Sequence, residues 1–328
     1  MIVVTGGAGF IGSNLVAAIE KRGDAAVAVC DRLGEGEKWR NIAKRDLAAL
    51  VAPEGLFGYL DQHAHEIDAV AHLGAITSTT ETNVDLLLRT NVDLSRDLWQ
   101  WCARHGVRLI YASSAATYGA GTEGFDDDGS VEGLARLKPL NPYGWSKHTF
   151  DRHVAHALAA GEARPPQWVG LKFFNVYGPN EYHKGPMKSV VAQLFPRAAA
   201  GEPARLFRSH NPDYRDGGQM RDFIWVGDCV DAMLWFLDHP DVSGLFNMGT
   251  GKARSFADLA SAVYRALNRL PRIEYVDTPP EIRDKYQYFT EARMERLRQA
   301  GYTRPFTELE DGVGLYVRDF LAAADPYL

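Results

Sequence analysis

The first 175 residues of this 328-residue chain predict an α/β fold, a doubly wound parallel sheet, and residues 176–328 a smaller C-terminal lobe. Three observations predict it. Short β-branched runs alternate with amphipathic stretches through the first half, glycines recur at a three-residue spacing where the first run meets the first amphipathic stretch, and Pro and Gly clusters replace the alternation beyond residue 175.

The runs Ile2 to Thr5, Ala26 to Asp31, Asp68 to His72, Arg108 to Ala112 and Trp168 to Phe174 read as strands, and Phe10 to Arg22, Val84 to His105 and Tyr143 to Ala159 as helices. This is the βαβ rhythm of a parallel sheet covered on both faces, with a core of six or seven strands ending near residue 175. Past that point Gly178-Pro179, Gly185-Pro186 and Gly217-Gly218 punctuate shorter elements, and the chain at about 222–250 is expected to cross back to the core. Ser255 with Asp258, and Thr307 with Glu310, have the spacing of helix N-terminal capping pairs. The polar stretch His210 to Gly218 reads as a surface loop.

Composition is that of a soluble globular protein, 46% hydrophobic and 24% charged. The first residues lack a basic and then apolar leader, and no stretch approaches the roughly 20 apolar residues of a membrane span. A cytoplasmic protein with no membrane partner is expected. Cys30, Cys102 and Cys229 are odd in number and far apart, which argues against a disulfide framework or a zinc site. A formal charge of −6 disfavours nucleic acid, so an anionic ligand needs a local basic pocket.

The glycine loop is Gly6-Gly7-Ala8-Gly9-Phe10-Ile11-Gly12. Between a strand and a helix, Gly6, Gly9 and Gly12 permit a tight turn, close backbone approach to a pyrophosphate, and anion binding at the helix N-terminus. This is the Rossmann arrangement for a nicotinamide dinucleotide. Asp31, at the end of the second strand, stands where a carboxylate meets the adenine ribose and by itself favours NAD. Arg32 and Lys38 beside it supply charge for a 2′-phosphate, so NADP is the expected cofactor and NAD the alternative.

Tyr143 and Lys147 lie four apart on a predicted helix, on one face. An ammonium near a phenol favours the phenolate and is expected to draw the Tyr143 pKa down toward the working pH. Ser114, in Tyr111-Ala112-Ser113-Ser114-Ala115-Ala116-Thr117-Tyr118-Gly119, can hold a reacting hydroxyl against that phenol. Ser113 reads as a structural or secondary polar contact, and Thr117 either as a further substrate contact or as a residue satisfying the loop backbone.

The glycine loop, the Ser113-Ser114 segment and Tyr143-x-x-Ser146-Lys147 together resemble the extended short-chain dehydrogenases/reductases. Within that group, Gly74 to Glu81, Phe174 to Gly185, Arg221-Asp222-Phe223, Asn247 to Gly251 and Tyr286 to Thr290 resemble the ADP-L-glycero-D-manno-heptose 6-epimerases, so the similarity spans nearly the whole chain. The resemblance implies Ser114, Tyr143 and Lys147 as the reductase triad and Lys184 as a second acid/base. It adds Phe10, Ile11, Asp31, Arg32, Lys38, Leu73, Gly74, Ala75, Ile76, Thr77, Asn91, Tyr143, Lys147, Val176 and Lys184 to the cofactor site. For the substrate, an ADP-sugar, it implies Ser114, Asn175, Phe207, Arg208, Ser209, His210, Arg221 and Tyr286. A homo-oligomer and a role in making the heptose precursor of the lipopolysaccharide core are also implied. The chain departs from the family at Pro53, where a lysine is common, at Gln193, which replaces a histidine, and in a longer loop before Arg221.

Dehydratases of the superfamily need an Asp-Glu pair after the Ser-bearing strand to eliminate water. Ala115 and Ala116 stand there instead. An epimerase remains, with a ring 4-epimerase or a non-catalytic dinucleotide sensor as alternatives. Inversion at the exocyclic C6 carbinol proceeds through a ketone whose oxygen swings to a new side on rotation, which gives a second proton donor, Lys184, its use. Arg221, Arg208 and Lys188 are candidates for gripping the diphosphate.

Overall fold

The computed structural model describes residues 1–279, Arg283 and residues 287–328. Its main sheet is made of β1 (Ile2–Thr5), β2 (Val27–Cys30), β3 (Ala49–Val51), β4 (Ala69–His72), β5 (Arg108–Ser114), β6 (Trp168–Phe173) and β10 (Gly244–Met248). They lie in the order β10-β6-β5-β4-β1-β2-β3, parallel throughout. Residues alternate between the two faces, as the period of a strand demands. Ile2, Val4, Val27 and Val29 pack on one side with Ile110 and Leu171, while Val3, Ala28 and Val70 pack on the other with Leu109 and Tyr111. Burial of both faces explains why these strands read as unbroken apolar runs.

Two strands escaped the sequence pattern. β3 is three residues long and only partly buried at an edge, so it has no apolar run to announce it. β10 comes from beyond residue 175, in the stretch of about 222–250 expected to cross back to the core but not read as a strand: Gly244 to Met248 pair with Val169 to Phe173 and add the seventh strand. The lobe is built on a three-stranded sheet of β7 (Asn175–Tyr177), β9 (Met220–Trp225) and β11 (Ala253–Ser255), and on a two-stranded one of β8 (Ala204–Phe207) and β12 (Ile273–Val276).

The helices are α1 (Phe10–Arg22), α2 (Leu56–Gln62), α3 (Val84–Leu87), α4 (Leu94–His105), α5 (Val131–Arg136), α6 (Pro142–Ala159), α7 (Val190–Ala200), α8 (Val226–Asp238) and α9 (Phe256–Ala266), with further turns at Glu295–Gln299 and Leu309–Leu315. The predicted helix from Val84 to His105 is helical along its length but contains a wide π turn at Leu88–Asp93. Ser255 and Asp258 form the expected capping box on α9. Thr307 does not cap. Glu308 takes that position, the Thr307 amide and hydroxyl both donate to Asp228 at 2.8 Å, and Glu310 pairs with Arg254. A tertiary carboxylate has outcompeted the local cap.

All three cysteines are buried free thiols. Among the described residues, no helix is long and apolar enough to cross a membrane, and no cluster of three or more His, Cys, Asp or Glu could hold a metal ion.

Candidate active site

The chain order reverses between β1 and β4, and a cleft opens beyond the C-terminal ends of these strands, where doubly wound sheets take their ligands. Its floor is the glycine loop. Gly6 has a φ of +68°, and a Cβ there would lie 2.6 Å from the Gly74 Cα. A methyl on Gly12 would overlap the Gly6 carbonyl oxygen. The loop therefore packs on itself and on Gly74 too tightly for side chains, and presents bare backbone to the cleft at the start of α1, a cradle that fits the close approach of a pyrophosphate.

One cleft brings together most of the residues singled out by sequence: Gly6, Gly9, Phe10, Ile11, Gly12, Asp31, Lys38, Leu73, Gly74, Ala75, Thr77, Ser114, Tyr143, Lys147, Val176 and Lys184. Arg32 and Asn91 do not line it. The Arg32 guanidinium is 71% exposed and pairs with Glu54, the residue after Pro53. Asn91 is fully buried in the π turn. Its amide brackets the Ile76 peptide, accepting from Ile76 N and donating to Ile76 O at 2.9 Å each, and donates to Ser146 Oγ at 3.0 Å. Asn91 thus shapes the Leu73–Thr77 wall from behind, with Ile76 as the part it holds.

The catalytic candidates come from two joints. Asn141 caps α6 by accepting from Gly144 N at 2.8 Å, with Pro142 in the first turn. A Cβ on Gly144 would lie 2.7 Å from the Ala116 carbonyl, so this turn seats directly on the loop after β5 and brings Tyr143 against Ser114. Lys147, one turn on, is buried and donates to the Ala112 carbonyl at 2.9 Å. Burial lowers its pKa to about 8, with Asp151 pulling the other way. The expected drop at Tyr143 does not occur. Burial raises its pKa against the opposing contact with Ser114, because hydration of a phenolate is lost and the Lys147 ammonium is turned to a carbonyl.

Lys184 faces the same cleft from a different segment, the short helical turn Tyr182–Met187. Its ammonium sits 5.3 Å from the centre of the Phe10 ring. Burial lowers its pKa while buried Glu181 opposes the shift. Three asparagines, of which only Asn180 lies in a segment singled out by sequence, stitch this turn to the glycine loop. Asn41 Nδ2 donates to the Ala8 and Asn180 carbonyls at 2.9 Å each and reaches His183 Nδ1 at 3.2 Å. Asn14 donates to the carbonyls of Phe10 and Pro179 at 2.9 and 3.0 Å. Asn180, itself at a positive φ of 71°, donates to Ser13 Oγ. His183 also lines the cleft, its pKa lowered to about 4 chiefly by burial.

At the other end of the cleft both oxygens of Asp31 are engaged. Its Oδ2 accepts from Ala8 N at 2.9 Å, and its Oδ1 from Arg32 N at 2.7 Å and Lys38 Nζ at 2.6 Å.

Apart from Ser114, the described residues expected to meet the substrate do not line the dinucleotide cleft. Asn175 is exposed on β7. Phe207, Arg208, Ser209 and His210 lie at and beyond the end of β8: Arg208 lies 3.6 Å from Asp277, Ser209 N donates to Asp216, and His210 N donates to the Tyr288 hydroxyl at 2.8 Å. Arg221 lies on β9 with its guanidinium over the Phe256 ring. Gln287 donates to the Gly119 carbonyl at 2.8 Å, joining this region to the loop beyond Ser114. Tyr286 falls outside the described residues. Thr117 is fully buried beneath the loop, donating to the Ser114 carbonyl at 2.8 Å, and so is no substrate contact.

The profile of the NAD dependent epimerase/dehydratase family matches residues 2–249. The chain belongs to this family. It is 50% identical, over the whole of both chains, to the ADP-L-glycero-D-manno-heptose-6-epimerase of Nitratidesulfovibrio vulgaris strain DP4. To the protein of that name from Fusobacterium nucleatum subsp. nucleatum it is 43% identical, again over both chains in full. Of solved structures, it is similar to the Helicobacter pylori ADP-L-glycero-D-manno-heptose-6-epimerase, with a TM-score of 0.80 and 28% identity over 98% of this chain and 96% of that one. It is also similar to the Thermus thermophilus UDP-glucose 4-epimerase in complex with NAD, with a TM-score of 0.74 and 27% identity over 98% and 99% of the two chains. Lys184 faces the cleft that Tyr143 lines from a second segment of the chain.

Proposed function

We propose that this protein is an ADP-heptose 6-epimerase, inverting the C6 carbinol of ADP-D-glycero-D-manno-heptose to give the L-glycero epimer for the lipopolysaccharide core. The observation that carries the reading is that Tyr143 and Lys184, from separate elements, line one cleft in a chain half identical throughout to a relative of that name. A nicotinamide dinucleotide held in the glycine cradle would supply the acceptor and donor of hydride.

The chain's own residues then handle binding and protons. Ser114 holds the carbinol hydroxyl against Tyr143, whose phenolic oxygen takes or returns the hydroxyl proton. Lys147 steadies the negative charge that develops on that oxygen. Lys184 serves the carbonyl oxygen once rotation about the C5–C6 bond has turned it away from Tyr143. With its pKa lowered by burial, its ammonium gives up a proton more readily than a solvated lysine. Arg208, Arg221 and their neighbours on β8 and β9 take the nucleotide-sugar diphosphate.

The cofactor we propose is NADP. With both Asp31 oxygens engaged and one neutralised by Lys38, the carboxylate is poorly placed to accept from a ribose diol, whereas the Lys38 ammonium suits a 2′-phosphate. NMR of ADP-D-glycero-D-manno-heptose incubated with the protein tests the whole reading. Growth of C6-inverted product without added reductant is expected, and inversion at a ring carbon or no reaction refutes it.

A further inference from the structure

Beneath the catalytic loop lies an ion pair that the chemistry above does not use. Asp151 follows Lys147 by one turn of α6, and Lys172 sits on β6 in register with Ser113. Both side chains have 0% exposure, and Lys172 Nζ donates to Asp151 Oδ2 at 2.7 Å. The pair grips the strand end from both sides of Ser114. Ser113 Oγ donates to the same Asp151 oxygen at 2.7 Å, and Lys172 donates at 2.7 Å to Thr117 Oγ1, which in turn donates to the Ser114 carbonyl.

A wholly buried ion pair is a poor device for stability, because desolvation offsets the attraction and an apolar pair of similar volume does as well. Its surroundings suggest another use. Around the Lys147, Asp151 and Lys172 cluster stand His72 on β4, Tyr111 on β5, Tyr118 and Asp127 in the chain after β5, and Tyr143, His148 and Arg152 on α6. Burial holds His72 near pKa 3 and His148 near 4, and raises the Tyr111 and Tyr143 phenols, so all four are uncharged at neutral pH. Lys147, Asp151 and Lys172 remain, with the Asp127 carboxylate also acting on Lys172 from the loop after β5. Without Asp151, the Lys147 ammonium would stand buried with no opposite charge acting on it.

We propose that Asp151, fixed by Lys172, is a positioning residue that sets a carboxylate one helical turn from the Lys147 ammonium and locks the Ser113–Thr117 segment against Tyr143. The catalytic part of this inference rests on the role given above to Tyr143 and Lys147. The electrostatic part does not.

Asp151→Asn keeps the volume and an acceptor for Ser113 while removing the charge. Lysine-labelled NMR should show the Lys147 ammonium titrating on the order of one pH unit lower than in wild type, as expected for loss of a neighbouring opposite charge. The alkaline limb of kcat should move by the same amount, leaving roughly a fifth of the wild-type rate at pH 8, with KM for the sugar nucleotide unchanged.

If Asp151→Asn does not fold, Asp151→Asn with Lys172→Met removes the second buried ammonium along with the carboxylate and leaves Lys147 as the one buried ion of the three. The same downward displacement is expected there, since Asp151 is the charge that bears on Lys147. An unmoved Lys147 titration in whichever variant folds overturns the proposal. So does recovery of the wild-type titration in the double variant, which would make the pair purely structural. Wild-type protein inactive on ADP-heptose would sink the functional reading instead, and the NMR titration would still decide the electrostatic one.

Discussion

Replacing Lys38 by Met should convert the cofactor preference. Lys38 Nζ is 2.6 Å from Asp31 Oδ1 and 2.9 Å from the Arg32 carbonyl, with 21% of the side chain exposed and only 8% of Asp31's. Methionine keeps much of the length and packing but leaves the Asp31 carboxylate uncompensated beside the expected 2′-phosphate. A charge-assisted hydrogen bond has a net worth of about 1.5–3 kcal/mol. At about 1.4 kcal/mol per decade, its loss weakens NADP by roughly 10- to 100-fold before any repulsion from Asp31 is added. NAD, whose ribose diol can donate to the freed oxygen, should bind as well as before or better. Isothermal titration of both dinucleotides at one fixed salt concentration measures the two factors. Equal losses for NADP and NAD, or none for either, would remove Lys38 from the 2′-phosphate site. Arg32→Glu should act in the same direction but more weakly, because that guanidinium is mostly in solvent and already shared with Glu54.

Three other outcomes follow from the geometry. Tyr143→Phe and Lys184→Met should each lower epimerisation by about 10²- to 10⁴-fold, the worth of a positioned acid/base; near-normal turnover by Lys184→Met would make Lys184 a binding cation only. Gly12→Ala, whose methyl would overlap the Gly6 carbonyl, should abolish dinucleotide binding and lower the melting temperature, and full occupancy in the purified variant would contradict the cradle. Buried His148 is held near pKa 4, against about 6.5 when unfolded, so the unfolded chain takes up a proton across this window that the folded chain refuses, and stability falls as pH drops through it. His148→Leu should therefore lose less stability than wild type between pH 7 and pH 5 in urea titrations, and parallel losses would refute the assignment.

What could be read from the sequence was whatever is held within a few residues. The glycine spacing demands a backbone that side chains cannot occupy, the four-residue step from Tyr143 to Lys147 shares a helix face whatever surrounds it, and buried parallel strands must be apolar on both sides. These are short-range constraints, so they appear as patterns. The outcome at Thr307, the seventh strand at Gly244–Met248, the asparagines tying Lys184's turn to the glycine loop, and the pairing of Lys172 with Asp151 depend on partners 21 to 167 positions away. Tyr143's pKa belongs with them: the sequence supplies the ammonium four residues on, but only the packed fold sets how much water the phenolate loses and where that ammonium points. Desolvation and long-range hydrogen bonding arise when distant segments meet, and for that reason the tertiary structure alone decided them.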